Sequence, residues 1–378
     1  MRIGIDGIPL AEIKTGVGHY TFELAQSLAL AAPSDEFELI SPHPFVESEA
    51  AGAGPKLPGN LRLVRAKTSS LGRHWWMIGL PLYLKRAGLT LFHGTNYNVP
   101  LWKRCPTVLT IHDLSSFLHP ETHEAHLVRR ARRRLPIMAR TATKIITPSE
   151  SVRREVCETL PVRAAKVQAI PEAPRRFFRP VERAATLGTL RRLGIEGDFI
   201  LFVGTIEPRK NLLTLARAFD KILRTTSLCP QLVIAGKEGW LTGELFSYLK
   251  ESDAAGRVRF TGYVAEDDLR ALYSACGVFV YPSLYEGFGL PPLEAMACGA
   301  PVITSRIPHL METTGSAAHL VNPTDAGEMA RSIIRLLTDE AERRRLSSAG
   351  LSRAAEFSWE GTARATIEVY RQALGEGD

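Results

Sequence analysis

The chain of 378 residues contains no run approaching the roughly 20 consecutive apolar residues of a membrane-spanning helix, so a helical span is not expected. Cysteine is scarce. Cys105, Cys157, Cys229, Cys276 and Cys298 are odd in number and never spaced Cys-x-x-Cys, which argues against a thiolate metal site and fits reduced thiols in a cytoplasmic protein. No repeat of fixed period is present, and the two halves of the chain are alike only in architecture. The sequence enters at once on Arg2-Ile-Gly-Ile-Asp6, which reads as a buried strand, so no signal peptide is expected before it.

What is present is the composition of a globular α/β protein, with 45% hydrophobic residues and a length suited to two domains. Strand and helix patterns alternate from the first residue, as in parallel sheets wound with helices. Ile3 to Asp6 reads as the first strand, Leu10 to Gly18 as a loop and Tyr20 to Ala31 as a helix. Phe37 to Ile40 and Leu61 to Val64 are short strands around a Pro/Gly/Ala-rich loop, Ser41 to Gly59, expected to be mobile. Leu89 to His93, Thr107 to Ile111 and Lys144 to Thr147 follow as buried strands, and Ser149 is placed to cap a helix. Three prolines punctuate the basic segment Pro171 to Pro180, read as an interdomain linker. The rhythm then restarts with strands at Phe199 to Val203, Gln231 to Ala235, Val258 to Phe260, Gly277 to Tyr281, Pro301 to Thr304 and His319 to Val321. Trp359 to Leu374 reads as a last helix.

Charge is unevenly spread. Between Leu101 and Pro180, sixteen Lys/Arg stand against seven Asp/Glu, a surplus of nine against +7 for the whole chain. Such a surface suits an anionic partner. Arg129-Arg-Ala-Arg-Arg-Arg134, set among Leu127, Val128, Leu135, Ile137 and Met138, reads either as a basic amphipathic helix for an anionic membrane surface or as a solvated face. His119, His123 and His126 straddle Pro120 with irregular spacing and no supporting cysteine, so a solvated helix start is expected there and no metal.

The chemistry concentrates in the stretch from Tyr281 to Thr304. A strand leads into a loop holding Glu286; Gly287 and Gly289 let its backbone approach a ligand; Pro291-Pro292 opens a helix whose first amides have no internal acceptor. Glu294 lies about one turn inside, so the two carboxylates can grip different hydroxyls of one extended ligand. Thr15-Gly16-Val17-Gly18 leads into a helix in a manner that suits a phosphate or a sugar against backbone amides. A dinucleotide site would need a third glycine where Thr21 stands and an acid ending the second strand, where Ser41-Pro42 follows. His112-Asp113 ends a strand, where ligands of open α/β sheets bind. Gly204-Thr-Ile-Glu-Pro-Arg209-Lys210-Asn211 follows another strand and sets a guanidinium and an ammonium at a helix start, where they could meet an anion.

Taken whole, Glu286-Gly-Phe-Gly-Leu-Pro-Pro-Leu-Glu294-Ala-Met-Ala-Cys-Gly-Ala-Pro-Val-Ile closely resembles the signature of GT-B retaining glycosyltransferases of family 4. The sequence around Thr110-Ile-His112-Asp113 resembles a subgroup containing many bacterial mannosyltransferases. The resemblance implies two Rossmann-like, doubly wound α/β domains facing a cleft, residues 1–175 for the acceptor and 176–358 for the nucleotide sugar, with residues 359–378 crossing back to the first. It implies sugar contacts for His112, Asp113 and Glu286, and a ribose contact for Glu294. Gly16, Gly18, Gly204, Arg209, Lys210, Tyr263, Gly287, Phe288, Gly289 and Leu290 would complete the donor site, with Tyr263 near the base. Many members carry an arginine directly after the strand-ending glycine, where this chain has Thr205, so either Arg209 and Lys210 do more of the neutralising or the family pairing is imperfectly kept.

The implied activity is retaining transfer of a hexose, best mannose from GDP-mannose, to a glycan or lipid-linked acceptor in surface polysaccharide or lipopolysaccharide assembly. No Asp-x-Asp occurs, so no metal or other cofactor is expected. Cytoplasmic residence, with peripheral contact at the inner membrane face through Arg129–Arg134, is expected, and no nucleic-acid partner is, for want of a recognisable module. A nucleotide-sugar epimerase, a phosphorylase of the same architecture, or a catalytically silent subunit are the alternatives.

Overall fold

Every strand pair of the computed structural model, described over residues 1–12, 16–45, 57–66 and 74–375, runs parallel. Thr15 and the 46–56 part of the loop after Ser41 lie outside the described residues. The chain divides into two units: Met1–Leu114 with Arg129–Glu172 and Ser358–Asp378, and Ser115–Val128 with Ala173–Phe357. The chain thus passes into the second unit inside the proline-punctuated linker and returns for its last helix. Ser115–Val128, which the sequence reading leaves within the first domain, clusters with the second unit.

The first unit holds β1 (Arg2–Asp6), β2 (Glu36–Ser41), β3 (Leu61–Arg65), β4 (Leu91–Gly94), β5 (Thr107–Thr110), β6 (Lys144–Thr147) and β7 (Val167–Ala169), in the order β3-β2-β1-β4-β5-β6-β7. Strand order reverses between β1 and β4, and such a reversal opens a crevice beyond the carboxyl ends of the strands. The helix Gly16–Ala31 begins earlier than its apolar pattern suggests, so Gly16 and Gly18 lie in its first turn and not in a loop. The last helix, Trp359–Leu374, is anchored to this unit by polar contacts as well as by packing. Tyr370 bonds the imidazole of His93 at 2.7 Å, Thr362 donates to the Pro171 carbonyl at 2.8 Å, and the Trp359 ring lies 6.0 Å from that of Tyr20.

The second unit holds β8 (Phe199–Val203), β9 (Gln231–Ala235), β10 (Val258–Gly262), β11 (Val278–Tyr281), β12 (Val302–Ser305) and β13 (His319–Val321), in the order β10-β9-β8-β11-β12-β13. Its reversal falls between β8 and β11. Helices cover both faces of such a sheet, which is why the central strands read as near-continuous apolar runs. Every side chain of β11 is buried, as are all but the last of β8. Each such large apolar side chain contributes roughly 1.5–3 kcal/mol relative to exposure. Those two strands therefore give the loops that follow them a fixed base.

Among the described residues no helix is long and apolar enough to cross a membrane, and no three His, Cys, Asp or Glu side chains gather as metal ligands. His119 and His123 are not simply solvated: His119 lies 5.1 Å from the Tyr285 ring, and His123 stacks on Trp240 and bonds Ser115 at 3.0 Å.

Ser149 caps Glu150–Thr159, its hydroxyl accepting from the Val152 amide at 3.2 Å. Ser149→Ala should lower stability by about 1 kcal/mol, the usual worth of such a cap. Equilibrium urea denaturation, followed for the first unit, measures this; an unmoved midpoint would mean that the cap is idle.

Candidate active site

In the second unit, the loops after β8 and β11 leave the sheet side by side at the point of reversal, which brings residues 77 positions apart into contact. The first loop turns through Asn211, whose φ of 58° lies in the left-handed region that asparagine tolerates better than most residues. The Asn211 side chain donates to the carbonyls of Pro282 and Pro323, at 3.0 and 2.7 Å, and the Leu284 amide donates to the Arg209 carbonyl at 2.8 Å. These bonds sew the two loops together. In the second loop Gly289 has φ +96°, and a Cβ there would come within 2.5 Å of Leu310, so the helix Leu290–Ala297 starts where only glycine fits.

Glu286 is 6% exposed. One carboxylate oxygen accepts from Lys210 Nζ at 2.6 Å and the other from Arg209 Nη1 at 3.0 Å. Arg209 also donates from Nη1 to the Tyr285 carbonyl at 2.9 Å and from Nη2 to Glu207 at 2.6 Å; Lys210 donates to the Tyr281 hydroxyl at 2.6 Å. Two buried acids thus face a buried ammonium and a half-buried guanidinium. Burial alone would raise the Glu286 pKa, but the charges of Lys210 and Arg209, and the hydrogen bond from Lys210, outweigh it and bring it down to about 2. Burial and the neighbouring Arg209 pull the Lys210 ammonium down, and Glu286 and Glu207 oppose that.

Glu294, 5% exposed, is held separately. Arg175 Nε donates to it at 2.8 Å and the Tyr273 hydroxyl lies at 3.5 Å, while Arg175 Nη1 reaches Glu266 at 2.7 Å. The Arg175 guanidinium sits 4.4 Å over the Phe178 ring. The two signature glutamates are therefore fixed by different cations, one from the loop after β8 and one from the linker. The Phe288 ring packs edge-on against Phe357 at 5.7 Å, inside the core, and the Phe288 carbonyl accepts from Thr313 at 2.6 Å. Gly287 is buried, Leu290 half-buried, and Tyr263 is 58% exposed beside Gly262 at the end of β10. Gly204 and Gly236 meet at the ends of β8 and β9: a Cβ on Gly236 would fall 1.9 Å from the Gly204 carbonyl oxygen.

In the first unit, His112 and Asp113 follow β5. The His112 ring lies between Tyr20, edge-on at 4.8 Å, and Tyr97 at 5.9 Å. Its Nε2 is 2.8 Å from the Thr95 carbonyl and its Nδ1 3.2 Å from the Glu172 carboxylate. Asp113 donates its amide to the Tyr97 hydroxyl at 3.0 Å, and Tyr97 itself holds a φ of 56°. Below them His93 bonds Tyr370 and Thr110, at 2.7 and 2.8 Å; burial and the nearby His112 lower its pKa to about 3, so it is neutral. Gly16 faces open space and Gly18 is buried.

Glu172, Arg175, Glu207 and Tyr281 are missing from the motif reading. Glu207 and Tyr281 sit in quoted motifs, but their contacts depend on strand adjacency. Arg175 and Glu172 lie in a stretch whose prolines and charges read as exposed linker. The one hint was Phe177-Phe178, an apolar pair that a solvated linker does not need.

Two family descriptions match this sequence: "Glycosyltransferase Family 4" over residues 14–173 and "Glycosyl transferases group 1" over residues 192–353. The O-antigen chain mannosyltransferase B of Escherichia coli is 31% identical over 394 residues, covering 98% of this chain and all of that protein. The serotype-specific mannosyltransferase WbdA of Escherichia coli is 36% identical over 283 residues, 73% of this chain and 34% of WbdA, so the chain spans about a third of that relative's length. Among solved structures, sucrose-phosphate synthase from Thermosynechococcus elongatus shares the GT-B fold with a TM-score of 0.76 at 23% identity, over 100% of both chains.

The ion cluster carries a pH signature. Because the Glu286 pKa is depressed, its stabilising charge is complete above its ordinary value of 4.5 and fades as pH falls toward about 2. Glu286→Gln should cost about 3 kcal/mol at neutral pH, as when one partner of a buried pair is removed. That deficit should shrink between pH 4.5 and 2. A deficit independent of pH over that window, in thermal or chemical unfolding, would contradict the assignment.

Proposed function

The chain belongs to family 4, group 1, of the glycosyltransferases, and from that membership we propose that it is a retaining mannosyltransferase. It moves mannose from GDP-mannose to a hydroxyl of a glycan or lipid-linked acceptor in O-antigen or related lipopolysaccharide assembly. The observation that carries this reading is the buried cluster of Glu286, Arg209, Lys210 and Glu207 at the point of strand reversal. The full-length likeness to an O-antigen chain mannosyltransferase supports the choice of sugar and setting.

Glu286 meets the sugar hydroxyls, and Arg209 and Lys210 meet the diphosphate. Because both cations are already paired, little side-chain freedom is lost when the anion arrives. In transfer, the bond from the anomeric carbon to the phosphate oxygen breaks and the acceptor oxygen bonds to that carbon on the same face. The leaving phosphate oxygen takes the acceptor's proton. Its growing charge is met by the guanidinium and the ammonium, so positioning and electrostatics supply the catalysis and no metal is required. Glu294, oriented by Arg175, meets the ribose, and Tyr263 stands near the base. His112 and Asp113 meet the transferred sugar, and the helix start at Gly16 and Gly18 faces the donor.

Radiolabelled GDP-mannose offered with a lipid-linked glycan acceptor should give an α-linked product, and transfer should persist in excess EDTA. Loss of activity in EDTA that magnesium or manganese restores would refute the metal-free site, and transfer only from other nucleotide sugars would refute the donor.

The helix Ala125–Thr141 supplies a surface for the lipid-linked acceptor's membrane. Arg129, Arg130, Arg132 and Arg133 are exposed on it beside Ile137, which is 51% exposed. At about 1 kcal/mol per basic residue near an anionic surface, these hold the protein peripherally and reversibly. Sedimentation with anionic vesicles should therefore exceed that with neutral ones, and should weaken in high salt and on replacing the four arginines by glutamine. Equal sedimentation with both vesicle types would return the helix to an ordinary solvated face.

A further inference from the structure

Glu172 lies in a segment that reads as linker, yet it is 5% exposed and faces His112. The two ring nitrogens of His112 meet different protein oxygens. The Thr95 carbonyl, 2.8 Å from Nε2, can only accept, so Nε2 carries a proton. The Glu172 carboxylate, 3.2 Å from Nδ1, accepts when ionised, and Nδ1 must then carry a proton as well. A neutral imidazole has one N–H and fits this pair of partners only if Glu172 is itself protonated.

We propose that Glu172 is a positioning residue that, with the Thr95 carbonyl, holds the His112 ring in one orientation as a doubly protonated imidazolium. In that state the ring has no lone pair and cannot act as a base. It is a fixed cation, able to offset negative charge gathering on the leaving group. This deepens the transferase reading and, for its kinetic consequence, rests on it.

The surroundings agree. Burial lowers the pKa of His112, but the hydrogen bond and charge of Glu172, the Thr95 carbonyl and the Asp113 carboxylate together raise it above its ordinary value. The other groups packed against the ring are the Tyr20 and Tyr97 rings, and burial and the Glu172 charge keep the Tyr20 phenol from ionising. His93, the neighbouring imidazole, is neutral and places no competing charge there. His112 is charged below its raised pKa and loses its proton only as pH climbs through that value.

Nitrogen-15 spectra of histidine-labelled protein, with His112 assigned by its loss in His112→Asn, read the ring directly. In the wild type both nitrogens should be protonated at pH 7. In Glu172→Gln the titration should move down by a pH unit or more, leaving Nδ1 unprotonated at pH 7, and Glu172→Asp should largely restore it. A singly protonated His112 in the wild type at pH 7, or a titration that Glu172→Gln leaves in place, would overturn the proposal. In transfer assays Glu172→Gln should lower kcat toward the roughly 100-fold loss seen when one fixed electrostatic donor is removed, with donor KM nearly unchanged. The high-pH limb of its activity profile should shift down with the titration. A wild type with the spectral signature but no transfer would defeat the transferase reading and leave the positioning role of Glu172 standing.

Discussion

The second unit depends on one constraint: three buried ionisable side chains, Glu207, Lys210 and Glu286, and the half-buried Arg209 are packed together and must neutralise each other. Removing an ion from water costs several kcal/mol, far more than a single neutral hydrogen bond returns, so Glu286 is tolerable only with Lys210 and Arg209 on its oxygens, and Arg209 has Glu207 as well. The geometry of two loops follows. The Arg209 and Lys210 backbone must sit where it can reach Glu286, which is why the loop after β8 turns at Asn211 and is stitched to Pro282 and Leu284. The strands beneath, β8 and β11, have almost no exposed side chain and cannot shift without opening the core.

A charge-neutral, rigid cluster is also a good place to put a changing charge. Its donors are already oriented, so under the proposed function an incoming phosphate would exchange one set of oxygens for another without having to order free side chains. The same logic is repeated by different residues at Glu294, where Arg175 and Tyr273 hold the carboxylate, and at His112, where Glu172 and Thr95 hold the imidazole. In each case the residue is fixed by a partner from a different part of the sequence.

Much of this architecture was legible beforehand. Parallel sheets buried on both faces announce themselves as short apolar runs, so β8, β9 and β13 fall on their expected residues, as does the helix Trp359–Leu374. Local signals held at Ser149, where a cap needs only three residues of chain, and at Leu290–Ala297, where proline and glycine mark the helix start. Errors came where tertiary contact overrode local composition. The glycines at 16 and 18 suggested a loop but belong to a helix, and β7, only three residues long, is a strand because β6 lies beside it.

The sequence by itself determined the strand and helix alternation, the loop that carries Glu286 and the pair Arg209-Lys210, because each is encoded within a few residues by burial period, backbone freedom or charge. Only the tertiary structure decided which charges meet. That Glu286 faces Lys210, that Glu294 faces Arg175 and that His112 faces Glu172 are contacts across 76, 119 and 60 residues. Strand order sets them, and no local pattern records which strands will lie side by side.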